Sequence, residues 1–155
     1  MKSGLGNGHC VLCRVGAYIC AVPVEYVCET MRPLPVEPLA GVPPFIAGVA
    51  VVRGIPTPVV DAERLVGGRG SASFGRFVVI RTGERRAVLA VGAVLGVRAL
   101  TRDSFDDLPP LLRGAGIEAV EGIGALDAHL LVVLEAARII PDSVWAALGG
   151  ASAHS

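Results

Sequence analysis

One lysine, three histidines and no excess of either charge set the first limits on what this 155-residue chain can do. Its 14 basic residues are balanced by 14 acidic ones, so no net field steers it onto a phosphate backbone or an anionic membrane. Aromatic residues make up only 5%, too few for the stacking platforms that hold single-stranded nucleic acid. Nucleic acid is therefore not an expected partner. No apolar run reaches the roughly 18 residues of a membrane span; the longest without proline, Ala87 to Val97, lies between Arg86 and Arg98. The single lysine, Lys2, cannot complete a phosphate-binding Gly-Lys-Ser/Thr loop, and no serine sits in a nucleophile elbow. His9, His129 and His154 have no ligand spacing. No cofactor, metal or catalytic residue is expected.

Four cysteines, Cys10, Cys13, Cys20 and Cys28, fall early in the chain. Cys10 and Cys13 have metal-ligand spacing, but residues three apart on a strand point to opposite faces, and there is no second such pair. They read as small core hydrophobes in a reducing compartment. Val15 to Val24, after Arg14, could serve as a signal-peptide core. A similar segment recurs in mid-chain around Ala87 to Val91, where no signal works, so the expectation is a structural strand in a cytoplasmic protein.

What the chain has in quantity is Val, Leu, Ile and Ala, and these recur on a plan. Ala47 to Val66 lies over Glu121 to Ile140 at a shift of 74 positions without a gap. Gly48 meets Gly122, Val59-Val60-Asp61-Ala62 meets Val133-Leu134-Glu135-Ala136, and Arg64-Leu65-Val66 meets Arg138-Ile139-Ile140. Upstream the match continues at shorter offsets, with Val11 to Gly16 resembling Val78 to Gly83. Self-similarity of this length marks a duplicated fold.

Strands are expected at 11–15, 18–22, 27–31, 49–52 and 55–60, then again at 77–81, 85–91, 97–101, 122–126 and 129–134. Pro56 and Pro58 are two apart, so both missing donors face one side, which suits an edge strand. Asp61 should cap a single helical turn. The proline-rich stretch 32–44 reads as a stiff loop over a barrel end rather than a ligand for a polyproline reader, and 103–116 as its long-loop counterpart. Pro141-Asp142 should start a terminal helix that docks through Val144, Trp145 and Leu148, with 149–155 frayed. The fold class is all-β. Five short strands hide their edges by curling, so the expected architecture is two tandem five-stranded barrels of the SH3-like kind on a shared hydrophobic core, with a short C-terminal helix. The glycine-rich segment 67–75 divides a first barrel (10–66) from a second (76–148).

The duplication brings one enzymatic reading with it. Asp61 and Glu135 are equivalent, and a pseudo-twofold could pair them as in aspartic proteases. The residues that follow, Ala62-Glu63 and Ala136-Ala137, lack the Thr/Ser-Gly of that chemistry, and helix capping accounts for both acids. A carrier holding a small molecule in the cleft between barrels is a further alternative. The positions that differ between copies are more telling: Arg53-Gly54 falls on Asp127-Ala128, and Glu29 on Arg98. A charge kept in one copy alone is free to serve a partner, and Arg53, on a hairpin, suits a partner carboxylate.

The run Gly48-V-A-V-V-Arg53-Gly54-I-P-T-Pro58-Val59-Val60-Asp61 resembles the signature of the CheW-like domain of bacterial chemotaxis coupling proteins. Tyr18 to Glu29 and the segments 122–125 and 131–134 resemble other parts of it, in order, over roughly residues 10 to 141. The resemblance implies paired five-stranded barrels around a shared interior. It also implies an adaptor rather than an enzyme, one that binds the cytoplasmic tip of a chemoreceptor and the regulatory domain of a chemotaxis histidine kinase. The receptor groove it implies would involve Val27, Glu29, Gly48, Arg53 and Gly54, with Glu29 and Arg53 paired on neighbouring strands. Where the family usually has Asn-Leu, this chain has Val51-Val52, which makes that groove more apolar; Gly92 replaces a usual Asp.

Overall fold

The computed structural model describes residues 8–70, 73–107 and 118–152. Eleven strands are seen there: β1 (His9–Val15), β2 (Tyr18–Pro23), β3 (Val27–Met31), β4 (Ile46–Val52), β5 (Ile55–Asp61), β6 (Arg76–Thr82), β7 (Arg85–Val91), β8 (Ala93–Ala99), β9 (Phe105–Asp107), β10 (Val120–Leu126) and β11 (His129–Leu134). Helix α1 (Ala62–Leu65) follows β5, and α2 (Asp142–Ser152) ends the described chain. All ten expected strands form. The eleventh, β9, lies within the stretch read as a long loop, where Asp106 and Asp107 hide a strand from a hydrophobic pattern. Residues 103 and 104 of that stretch belong to a 3-10 turn, and 108–116 lie outside the described residues. The helix α2 runs through 149–152, where the sequence predicts fraying over 149–155; residues 153–155 lie outside the described residues.

The strands form two sheets, each curled into a small SH3-like barrel. One has the order β8-β1-β2-β11-β10-β9 and the other β3-β6-β7-β5-β4. This order corrects the division at 67–75. The second sheet is built from 27–91 without interruption, whereas the first takes its hairpin β1–β2 from the N-terminus and the rest from 93–134. Each hairpin has crossed to the strands of the other copy. A repeat marks the unit that was duplicated, and nothing in it says which copy supplies the hydrogen-bonding partner. Nor is 67–75 loose at its ends: the Gly68 N–H donates to Glu63 O at 2.7 Å, and the Gly75 N–H to Val91 O at 2.9 Å.

The duplication extends to register. Ile46 opposes Val60 and Val52 opposes Ile55, with a bulge between Ile46 and Gly48. Val120 opposes Leu134 and Leu126 opposes His129, with a bulge between Val120 and Gly122; every number differs by 74. The hairpins β1–β2 and β6–β7 match at 67, since Val15 opposes Tyr18 and Thr82 opposes Arg85. Through this register Glu29, opposite Val79, corresponds to Gly96, opposite Leu12, so the expected match of Glu29 with Arg98 is corrected by two residues.

The prolines of β5 do not lie on an edge strand, because β5 sits between β4 and β7. Their setting explains the difference: β7 pairs only with Val59, Val60 and Asp61, leaving the stretch with Pro56 and Pro58 bonded on the β4 side alone. Asp61 caps α1, its Oδ1 accepting from the backbone N–H groups of Glu63 and Arg64 at 3.1 and 3.4 Å.

Period-2 alternation on β1 sends Cys10 and Leu12 into the interior of one barrel, while Val11, Cys13 and Val15 join a core shared by both sheets. Ala50, Val52, Val59, Phe77 and Val88 fill the other barrel. A strand buried on both faces is the physical content of a shared core. The proline-rich segment covers these cores, with Leu34 and Val36 on the second barrel and Leu39, Val42 and Phe45 on the shared interior. Helix α2 adds Val144, Trp145 and Leu148 to the shared core. Arg85 holds it down, bonded to Asp142 Oδ1 at 2.9 Å and lying 5.2 Å from the Trp145 ring centroid.

Burial pushes the thiols of Cys10, Cys13 and Cys20 up to about 11, 12 and 12; Cys28 is exposed. Native protein at pH 8 is expected to give one fast equivalent with a thiol reagent, at Cys28, and four after denaturation. Two or more fast native equivalents would contradict this packing.

Candidate functional site

The β4–β5 hairpin turns on two residues with positive φ, Arg53 at 53° and Gly54 at 78°, as a tight two-residue hairpin of this hand requires. Glycine takes that conformation without cost, and arginine does not. Among the described residues the only other non-glycine with positive φ is Asp127, at 55°, the register equivalent of Arg53. The duplicated turn therefore demands a left-handed residue, and aspartate is one of the residue types enriched there. Arginine at Arg53 is not explained by the turn.

The guanidinium of Arg53 grips Glu29 with two bonds, Nε to Oε2 at 3.1 Å and Nη2 to Oε1 at 2.6 Å. The pair is not on neighbouring strands, as the sequence had suggested. β3 and β4 are the two edges of the five-stranded sheet, and the pair bridges them across the barrel's opening. A second clasp lies beside it: the Glu37 N–H donates to Val49 O at 2.8 Å and the Val49 N–H to Glu37 O at 2.9 Å. Here the chain leaving β3 bonds to the outer side of β4. The hydrogen bond from Arg53 holds the Glu29 carboxyl below the usual carboxylate range, helped by the charges of Arg53 and Arg86. Glu29 in turn raises Arg53. The pair is present above the ordinary carboxylate pKa and is lost as pH falls through the lowered value of Glu29.

The side chain of Arg53 is 68% exposed, and two apolar residues of the same hairpin end are exposed as well, Val51 at 61% and Ile55 at 49%, on opposite faces since Ile55 is paired with Val52. Of these, Val51 is the residue expected to make the groove more apolar, and Ile55 was not singled out from the sequence. The run A-G-V-A-V-V is apolar throughout, so only the paired strand reveals that Ala50 and Val52 point inward and Val51 outward. Leu95 and Val97 are likewise exposed, on the edge strand β8.

Of the five residues expected at the site, Glu29, Arg53 and Gly54 gather at this tip. Val27 is half-buried against the shared core. Gly48 is buried, with φ at 149°, and a Cβ there would overlap the carbonyl oxygen of Glu37. The close approach it permits is made by its own chain, not by a visiting helix. Gly122 repeats the arrangement against Asp106. Gly48→Ala is expected to cost about 2–4 kcal/mol in urea unfolding; a loss below about 0.5 kcal/mol would show the clasp to be dispensable.

The carboxylates of the suggested catalytic dyad stand at the ends of strands in different sheets, Asp61 closing β5 and Glu135 following β11. Asp61 is buried and engaged in capping, and Glu135 precedes the equivalent 3-10 turn, 136–138. Where the end of β1 faces the end of β7, Arg14, Glu63, Phe74 and Gly92 line a cavity of about 200 Å³, below the roughly 300–1,000 Å³ of ligand pockets. Among the described residues no His, Cys, Asp or Glu group is arranged to hold a metal ion, and no helix is long and apolar enough to cross a membrane.

Residues 9–144 match the family model of the CheW-like domain. The chain belongs to the CheW-like family. It is 36% identical over 126 residues to Protein FrzA of Myxococcus xanthus, covering 79% of this chain and 71% of that one. It is 27% identical over 110 residues to Chemotaxis protein CheW of Klebsiella aerogenes, covering 70% and 66%. Its fold resembles the crystal structure of the scaffolding protein CheW from Thermoanaerobacter tengcongensis, with a TM-score of 0.69 at 23% identity over 83% of this chain and 89% of that one. That CheW-like fold and the duplicated barrels found here agree.

Proposed function

We propose that this CheW-like protein is a non-enzymatic cytoplasmic adaptor that couples the cytoplasmic tip of a chemoreceptor to the regulatory domain of a chemotaxis histidine kinase. The observation that carries the receptor contact is Arg53, held exposed in a left-handed turn that does not call for arginine. Its bond to Glu29 uses Nε and Nη2, which leaves the Nη1 edge for a carboxylate on a partner helix. Val51, exposed on the outer face of the same hairpin, supplies apolar contact near it. An adaptor needs a second surface, and Leu95 and Val97 on the edge of the other sheet offer one.

The pair itself is tested by exchange. Glu29→Arg and Arg53→Glu are each expected to lower the affinity for a receptor signalling-tip fragment, measured by calorimetry. The double variant, with the charges swapped across the barrel opening, should recover part of the loss. If the losses simply add, Glu29 has no part in presenting Arg53.

A further inference from the structure

The segment that follows β3 carries more proline than its place in the fold requires. Its counterpart in the other copy is β9: Asp106 pairs with Ile123 there, and Glu37 pairs here with Val49, the register equivalent of Ile123. Val36 then corresponds to Phe105, and each fills the barrel it covers. β9 does this without a proline and pairs over three residues. Here the pairing is a single bridge. Alternate residues donate in an antiparallel ladder, so the next donor would be residue 35, which is proline and has no N–H. The prolines therefore shorten the clasp, and covering the barrel does not account for them. What they do is hold the chain extended. Pro33, Pro35 and Pro38 fix their own φ and keep Arg32, Leu34 and Glu37 out of the helical region. A chain so held turns about once in three residues, which gives it three rows of side chains. In one row Val36 and Leu39 pack on the barrels. In the next Arg32, Pro35 and Pro38 are all exposed, and in the third Glu37 and Ala40 are exposed and Leu34 is half-buried. Arg32 makes no hydrogen bond or ion pair among the described residues.

We propose that Arg32-x-x-Pro35-x-x-Pro38 is a docking site for a partner domain that reads extended proline segments through a groove of aromatic rings with a carboxylate at one end. Two prolines three apart present their rings on one side, where aromatic faces cover them, and the arginine three residues before them pairs with the carboxylate and sets the direction of docking. A reader of this kind contacts two rows of the segment and leaves the third alone, and the third is the row this protein keeps for its own barrels. The sequence favours a stiff cover over a ligand; the structure shows that one side of the segment covers and the other stays free. Fastening it in advance also lowers the ordering cost of binding. The occupant is not a second copy, because a chain with 5% aromatic residues that buries Phe77 and Phe105 has no aromatic groove to offer. The site does not use Arg53 and does not rest on the receptor reading.

The test is a titration of the isotope-labelled full chain with an isolated SH3 domain of the class that binds Arg-x-x-Pro-x-x-Pro peptides, followed by NMR. Saturable shifts at Arg32, Leu34 and Glu37 are expected, with a Kd of about 10–500 μM. Arg32→Glu, and Pro35→Ala combined with Pro38→Ala, should each weaken binding about tenfold or more. All three side chains are exposed, so the variants should fold; Arg32→Glu gives the reading alone should the proline variant fail to. An SH3 domain whose groove tryptophan is replaced by alanine should produce no saturable shift. Arg53→Asn should bind as the parent does. The proposal is overturned if nothing saturates up to about 1 mM, if the folded variants bind as the parent does, or if the groove-deficient domain reproduces the shifts. A free peptide of residues 31–40 that binds while the full chain does not would show the outward row to be covered, and would overturn it as well. Loss of binding in Arg53→Asn would overturn its separation from the receptor tip.

Discussion

Arg53→Asn is expected to weaken binding of a receptor signalling-tip fragment by about tenfold or more while leaving Tm unchanged or raised by a few degrees. Two effects on stability oppose each other. Losing Arg53 removes the bond to Glu29 across the barrel opening, but that pair is exposed, and exposed pairs contribute little. Asparagine accepts φ near 53° more readily than arginine does, which favours the variant. The clasp between Glu37 and Val49 remains to hold the same two edges. Binding has no such compensation, since asparagine cannot present a charged fork to a carboxylate. A fall in Tm of more than about 5 °C would mark Arg53 as part of the framework.

The second large effect concerns topology. A chain cut at 71–72 is expected to give two pieces that do not fold separately and do fold when mixed. The piece ending at 70 carries β1 and β2 but none of the strands beside them in their sheet, β8 and β11. It also holds β3 and β5 without β6 and β7, which lie between them. The piece starting at 73 has the converse defects. Each would leave central hydrogen-bonding edges and much of the shared core exposed. Together they contain all eleven strands, and circular dichroism with amide NMR of the mixture should approach the intact protein. Two independently folded halves, as the division at 67–75 implied, would contradict the exchanged hairpins.

That exchange was not legible in the residues, and the reason is physical. Alternation and turn chemistry are local, so the hairpins and the cap at Asp61 could be placed. Which hairpin lies beside β11 is decided by packing between positions more than a hundred apart in sequence. Pro56 and Pro58 show a milder form of the same limit: they correctly indicated an unpaired side, but that side is only part of one strand. At the candidate site the repeat singled out Arg53 because its counterpart is Asp127, and the bond to Glu29 was anticipated. The barrel opening it spans was not, since edges become neighbours only when a sheet curls. Ile55 was hidden within an apolar strand, and the outward direction of Val51 is set by its pairing, which the apolar run does not reveal.

Co-sedimentation tests the adaptor account most directly. Receptor signalling tips displayed on beads or nanodiscs are mixed with the histidine kinase regulatory domain, with and without this protein. The account predicts that the kinase domain enters the pellet only when the protein is present, and that Arg53→Asn removes both from it. Recovery of the kinase domain at the same level without the protein, or binding of the protein to neither partner, would contradict it.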